Sequence, residues 1–206
     1  MTKAEIASWQ GNEGKQLLER VGVADGKVVL DFGCREGNYA RIAAQIVGPT
    51  GMVYAMDKDR GILDALIRSV REDGLGNMVR VDTPGNVPLP LRDASVDVVL
   101  LYDVLHLIGW SSESGKTIRR STASDRRAVL KELLRISKAE GIISIYCPHL
   151  ATHTDVDSEQ DIAEELEGEG FALRDRFYAT LLHDSNLVRG HIMNFTNRAG
   201  ANRRPC

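Results

Sequence analysis

Lys27 to Tyr39, reading KVVLDFGCREGNY, constrain the fold more than any other stretch. Val28, Val29 and Leu30 form an apolar run too short for a helix and rich in β-branched residues, the pattern of a strand buried on both faces. The run breaks off in Asp31-Phe32-Gly33-Cys34-Arg35-Glu36-Gly37. Apolar residues then recur at helical spacing through Tyr39, Ile42, Ala43, Ile46 and Val47. Strand, glycine-bearing turn and helix make the first half of a nucleotide-binding βαβ unit. The glycines let the backbone approach a ligand, and the helix start offers free N–H groups and the positive end of its dipole.

The rest of the chain supplies partners for this unit. Short apolar segments at Met52–Met56 (ending at Asp57), Val79–Asp82, Val96–Tyr102 and Ile142–Tyr146 read as strands. Between them lie a helix over Gly61–Asp73, with Ile62, Leu66, Ser69 and Val70 on one face, and a second over Asp125–Ser137 capped by Ser124. Ser158 with Asp161 three residues on forms a capping box for a third. Thr2–Val21 reads as one or two helical pieces broken near Gly11-Asn12. Phe171–Tyr178 and Gly190–Phe195, split at Asp184-Ser185-Asn186, read as an antiparallel hairpin. The expected architecture is therefore α/β: a doubly wound, mostly parallel seven-stranded sheet closed by a C-terminal antiparallel hairpin. With 206 residues and 43% apolar composition, one core and one domain over 1–206 are expected. Residues 1–22 form its N-terminal helical segment, and 111–124, nearly free of apolar residues, a mobile loop.

Charge and cysteine usage narrow the function. A net charge of −3 implies no broad positive field, so neither nucleic acid nor a membrane surface is favoured as partner. The local cluster Lys116, Arg119, Arg120, Arg126 and Arg127 reads as a solvated stretch, or as a lid for an anionic substrate. Its Gly115-Lys116-Thr117 is not a phosphate loop, because Trp110 stands where the first glycine is required. Cys34, Cys147 and Cys206 show no paired spacing. The N-terminus has no apolar leader core and no long apolar run follows, so a reducing, cytoplasmic location is expected.

A dinucleotide fold calls for G-x-G-x-x-G, whereas Gly33, Arg35 and Gly37 give G-x-R-x-G. GKVVLDFGCREGNY resembles the first motif of class I S-adenosylmethionine-dependent methyltransferases, with Arg35 where that family carries its middle glycine. VYAMDKD resembles the acidic end of the family's second strand, and LPLRDASVDVVLLYDVLHLI the entry to its fourth. LKELLRISKAEGIISI resembles the helix and glycine before the fifth strand, and the closing hairpin is similar to the sixth and seventh. The resemblance runs from about Glu13 to Asn197 and implies a Rossmann-like methyltransferase fold with S-adenosyl-L-methionine as cofactor. It places Asp31 near the methionyl amino group, directly or through water, with a purely structural role as its alternative, and it lets the backbone at Gly33 and Gly37 approach the cofactor closely, with plain turn glycines as the alternative. Asp57, about 20 positions beyond Gly37, would accept hydrogen bonds from the ribose hydroxyls; a surface or helix-capping role is its alternative. Lys58 would flank the adenine, Asp82 and Asn86 (with Thr83 and Gly85) would contact its amino group, and Tyr102 would stand at the strand-four edge. Arg35 points away from the cofactor, reaches toward its carboxylate or occludes the site. The last option leaves a non-catalytic binding module with a degenerate glycine loop as the second reading, and a nicotinamide oxidoreductase is the third.

Methyl transfer from a sulfonium needs alignment above all, and a base only where the acceptor must lose a proton. Asp103 and His106 follow strand four and share a face if that turn is helical; they are the candidate catalytic pair, with His106 as base. A packed core histidine is the alternative for His106. Tyr146, His149 and His153 follow strand five, near the expected substrate. Cys147, His149 and His153 match no zinc spacing, so no metal is expected. His183 and His191 flank the hairpin as surface or pairing positions. No N/D-P-P-Y/F segment follows strand four, and a small-molecule acceptor is expected. A homo-oligomer stays open.

Overall fold

The computed structural model of the protein describes residues 2–83, 87–109, 121–149, 154–156 and 158–198. In chain order the elements are α1 (Lys3–Gly11), α2 (Glu13–Val21), β1 (Val28–Phe32), α3 (Asn38–Val47), β2 (Met52–Asp57), α4 (Arg60–Glu72), β3 (Met78–Asp82) and β4 (Val96–Tyr102). A single 3-10 turn (Leu105–Leu107) follows, then α5 (Ala123–Ile136), β5 (Ser137–Tyr146), α6 (Glu159–Gly168), β6 (Phe171–His183) and β7 (Asn186–Asn197). The strands form one sheet in the order β3-β2-β1-β4-β5-β7-β6, with β1 to β5 parallel and β7 antiparallel to both β5 and β6.

The continuous apolar runs occupy the sheet centre because helices cover both faces there. One face packs Leu17, Leu18, Ile42 and Leu63 from α2, α3 and α4, joined by Trp9 of α1. The other packs Leu130, Leu133, Ile162 and Leu166 from α5 and α6. The strand order reverses between β1 and β4, so the crevice for a ligand opens at their carboxyl ends. No helix among the described residues is long and apolar enough to cross a membrane.

Local chemistry moves several expected boundaries. The α4 helix starts at Arg60 because the Asp59 carboxylate accepts the Gly61 and Ile62 amides. Its buried face is Leu63, Leu66, Ile67 and Val70, so Ile62 and Ser69 lie only at the margin of the expected stripe. Thr122, not Ser124, caps α5: its hydroxyl accepts the Asp125 amide while the Asp125 carboxylate returns to Thr122, drawing Ser124 into the helix. Residues 111–120 of the expected loop lie outside the described residues.

The largest difference concerns β6 and β7, which run well past their expected limits toward the turn. Beyond Tyr178 and before Gly190 the apolar alternation that marks a strand lapses, yet the pair stays in register from Asp175↔Asn194 to His183↔Asn186. β7 pairs with β5 only between Met193 and Thr196. Everything nearer the turn therefore projects past β5, over the carboxyl edge of the sheet.

Candidate active site

The β1–α3 connection is a tight loop. The amides of Gly33 and Cys34 donate to the Met56 carbonyl at 2.8 and 2.9 Å, and the Gly37 amide donates to the Cys34 carbonyl at 2.8 Å. Gly33 (φ 82°), Arg35 (φ 47°) and Gly37 (φ 77°) all adopt left-handed conformations. A side chain at Gly33 or Gly37 would also collide with Val104 or Leu66, so both glycines are demanded by the loop's own shape as well as by any ligand. The Arg35 amide donates to Asp57 Oδ2 at 3.0 Å and the Asp59 amide to Asp57 Oδ1 at 2.9 Å, tying the β1 loop to the end of β2.

Against this loop lies a cleft of about 240 Å³, walled by Asp31, Arg35, Tyr39, Tyr102, Asp103 and Leu182. The hairpin tip forms its far side and is fastened there. Trp9 Nε1 donates to the Thr180 carbonyl at 3.1 Å, and the Tyr39 hydroxyl bonds both the amide and the carbonyl of Leu182 at 3.1 Å. Trp9 meets Tyr39 edge-on at 5.5 Å, and Tyr39 meets Tyr102 at 4.8 Å. The Tyr102 hydroxyl shares a 2.9 Å hydrogen bond with Ser144. Arg35 crosses the rim instead of filling the cleft: its side chain is 62% exposed, and Nη1 stands 3.3 Å from Asp184 Oδ1 on the hairpin turn.

Two carboxylates dominate the electrostatics. Asp31 is buried in the middle of the sheet, and its Oδ2 has no hydrogen bond among the described residues. Burial pushes its carboxyl up to about 7; the Ala40 amide opposes the rise and the Asp57 charge adds to it. Asp103 takes the left-handed φ of 56°, unusual for a non-glycine residue, with its amide donating to the Tyr146 carbonyl at 2.8 Å. Its Oδ2 lies 2.9 Å from His183 Nδ1, and its Oδ1 lies 3.4 Å from His106 Nδ1 and 3.9 Å from His149 Nε2. Burial raises the Asp103 carboxyl, and the opposing pull of His183 and His149 does not cancel it. Burial likewise pushes the Tyr146 phenol up to about 12.

Of the residues singled out in the sequence for the site, Asp31, Gly33, Arg35, Tyr102, Asp103 and Tyr146 line the cleft. Asp57 stands beyond the loop, joined to it through the Arg35 amide, and Gly37 serves as the left-handed residue capping α3. Lys58 is exposed at the end of β2. Asp82 is removed from this cleft: Arg80 engages its carboxylate, and it borders a separate opening with Tyr54 and Pro90. Asn86 and His153 lie outside the described residues. His106 sits buried behind Asp103 and off the cleft wall, because the apolar run around it folds inward as the 3-10 turn. His191 pairs with Glu159 at 3.1 Å. His183, expected at a surface or pairing position, instead lines the cleft, and Tyr39, read only as the start of a helical stripe, does so too. Sequence reading missed Leu182 and Asp184: only the turn at 184–186 signalled them, and a turn does not say which way a hairpin bends.

A family model described as a methyltransferase domain matches residues 30–145. The demethylmenaquinone methyltransferase of Geobacillus kaustophilus (strain HTA426) is 31% identical over 129 residues, which cover 62% of this chain and 48% of that relative. The chain thus spans about half the length of the relative it matches. A solved SAM-dependent methyltransferase from Aquifex aeolicus superposes with a TM-score of 0.68 at 20% identity, covering 95% of this chain and 99% of the other. The [4+2]-cyclase SpnF superposes with a TM-score of 0.65 at 14% identity, covering 89% of this chain and 81% of its own. Both of these are likenesses of fold.

Proposed function

The chain belongs to the methyltransferase domain family, and on that premise we propose that it transfers a methyl group from S-adenosylmethionine to a small-molecule acceptor. The relative named for demethylmenaquinone supports that acceptor class. The residues present fit the cofactor. The bare Asp31 Oδ2, buried on the cleft wall, is the partner an ammonium group requires. Asp57 spends one lone pair of each oxygen on loop amides and keeps the others for hydroxyl donors. When bound, S-adenosylmethionine supplies a methyl group on positively charged sulfur, already activated for displacement.

The remaining work falls to the chain. Tyr39, Tyr102 and Leu182 give the cleft its apolar wall. Asp103 is the wall residue placed to take a proton from the acceptor, and His106, 3.4 Å behind it, is its positioning partner rather than the base itself. The observation that carries the reading is the unbonded, buried Asp31 oxygen beside the glycine loop.

Calorimetric titration with S-adenosylmethionine and S-adenosylhomocysteine tests it. One equivalent should bind, and Asp57→Ala should weaken binding about 10- to 100-fold, the worth of hydrogen bonds to a charged group. Absence of binding at millimolar ligand overturns the reading. One observation favours binding without transfer: Arg35 stands left-handed where the family carries glycine, and it spans the rim to Asp184. An affinity gain in Arg35→Gly, with no methylated product from either form, would favour that alternative.

A further inference from the structure

We propose that Asp103, His149 and His183 form a binding site for one divalent transition-metal ion, opening onto the cleft. The ion's use in catalysis rests on the methyltransferase reading above; its binding does not. The three residues come from three different elements: Asp103 follows β4, His149 follows β5, and His183 ends β6. The sheet topology brings those ends to one edge, and one donor atom from each lies within 4.8 Å of the other two. His149 Nε2 and His183 Nε2 are 3.2 Å apart, and Asp103 Oδ1 is 3.9 Å from His149 Nε2. Metal–nitrogen and metal–oxygen bonds of about 2.0–2.1 Å put ligand atoms roughly 3.0–3.4 Å apart, so the two imidazoles already stand at that spacing and Asp103 would have to draw closer.

An ion answers what the carboxylate leaves unresolved: Asp103 Oδ1 is buried without a hydrogen bond among the described residues. The two imidazoles beside it share a hydrogen bond through their Nε2 atoms, which an ion would replace. The cluster is also held in shape from behind. The left-handed Asp103 backbone is fixed by its bond to the Tyr146 carbonyl, and Oδ1 has the His106 ring at 3.4 Å as an outer contact. The spacing that excludes a zinc motif among Cys147, His149 and His153 does not bear on this set, which is assembled across the fold.

Two imidazoles and one carboxylate suit zinc, iron(II), cobalt(II) or nickel(II) better than magnesium or calcium, which prefer all-oxygen shells. Three protein ligands leave coordination positions open, and Asp103 and His183 both stand on the cleft wall. The matching acceptor class carries an ionisable hydroxyl, such as a phenol or enol, whose proton is more easily lost beside a divalent cation.

The test uses the untagged full chain, stripped with chelator and dialysed against zinc or cobalt(II), with bound metal counted per chain. One equivalent should bind, and cobalt(II) should give the visible absorption of a low-coordinate site. His149→Gln and Asp103→Asn should each weaken binding more than about 10-fold, while His191→Ala leaves it unchanged. No stoichiometric binding, or binding that survives both His149→Gln and His183→Gln, overturns the proposal. S-adenosylhomocysteine titration of the same samples separates the two readings. Metal binding without cofactor binding sinks the methyltransferase reading and keeps the site, and the reverse result sinks the site alone.

Discussion

Arg126 and Asp31 are both charged, both buried against the same sheet, and finished in opposite ways. Arg126 is fully enclosed between α5 and α6 and saturated by the protein itself. Nε and Nη2 reach Glu165 at 2.7 and 2.5 Å, Nη2 reaches Asp155 at 2.6 Å, and Nη1 reaches the Ser121 carbonyl at 3.0 Å. Burial pushes the Asp155 carboxyl up, but the Arg126 hydrogen bonds outweigh it and hold the group below its usual range. Asp31 has no such company, and the Asp103 cluster is likewise left with an unbonded oxygen. A buried charge whose bonds are complete belongs to the scaffold, and one left incomplete beside a cleft marks where something else must bind.

The sharpest way to break that comparison is Arg126→Ala. It strands the largely covered Glu165, while the more exposed Asp155 keeps the Ala123 amide, and should cost about 3 kcal/mol in denaturant unfolding, the lower end for removal of one partner from a buried pair. A loss below about 1 kcal/mol would mean the network is not what closes α5 onto α6.

Asp31→Asn should act the other way on stability while damaging binding. The native carboxyl titrates near 7 against an unfolded value near 4, so the native state holds a proton that the unfolded state releases between them. Wild-type stability therefore falls as pH rises through that window. The variant should be more stable by on the order of 1–3 kcal/mol at pH 8, with the gain vanishing near pH 4. Its S-adenosylhomocysteine affinity should fall about 10- to 100-fold. Thermal melts across pH, paired with titrations, decide both halves; a variant that binds normally removes Asp31 from the site.

Tyr39→Phe should be milder, about 1 kcal/mol, because it frees only the two polar groups of Leu182. Faster amide exchange over 180–186 is the specific readout. The smallest effect belongs to the exposed Arg35–Asp184 pair, for which a double-mutant cycle should give below about 1 kcal/mol. A larger coupling would show that the rim pair is structural.

The half of the site that rests on strand ends was legible in the sequence. A β-branched run stopping at Asp31, and another stopping at Tyr102-Asp103, locate themselves because burial on both faces leaves a continuous apolar signature. The capping box at Ser158 and Asp161 is equally local and forms as read. The other half is tertiary. His149 and His183 meet across 34 residues of chain, and no periodicity announces that meeting. The hairpin's reach was hidden because the apolar alternation stops near Tyr178 and Gly190, while the backbone pairing continues to the turn regardless. The α4 stripe was read one residue off at its start: Leu63 and Ile67, not Ile62 and Ser69, join Leu66 and Val70 against the sheet.

One phenol belongs to both halves. Tyr39 rises from the helix that begins at the glycine loop, yet its hydroxyl clasps the hairpin tip at Leu182. The wall grown from the glycine loop and the wall built by the hairpin thus share a hinge pin. Lengthening or shortening the hairpin would tug on the glycine loop itself. Descendants of this chain that adopt new acceptors are therefore expected to repaint the tip's side chains and to leave its length alone.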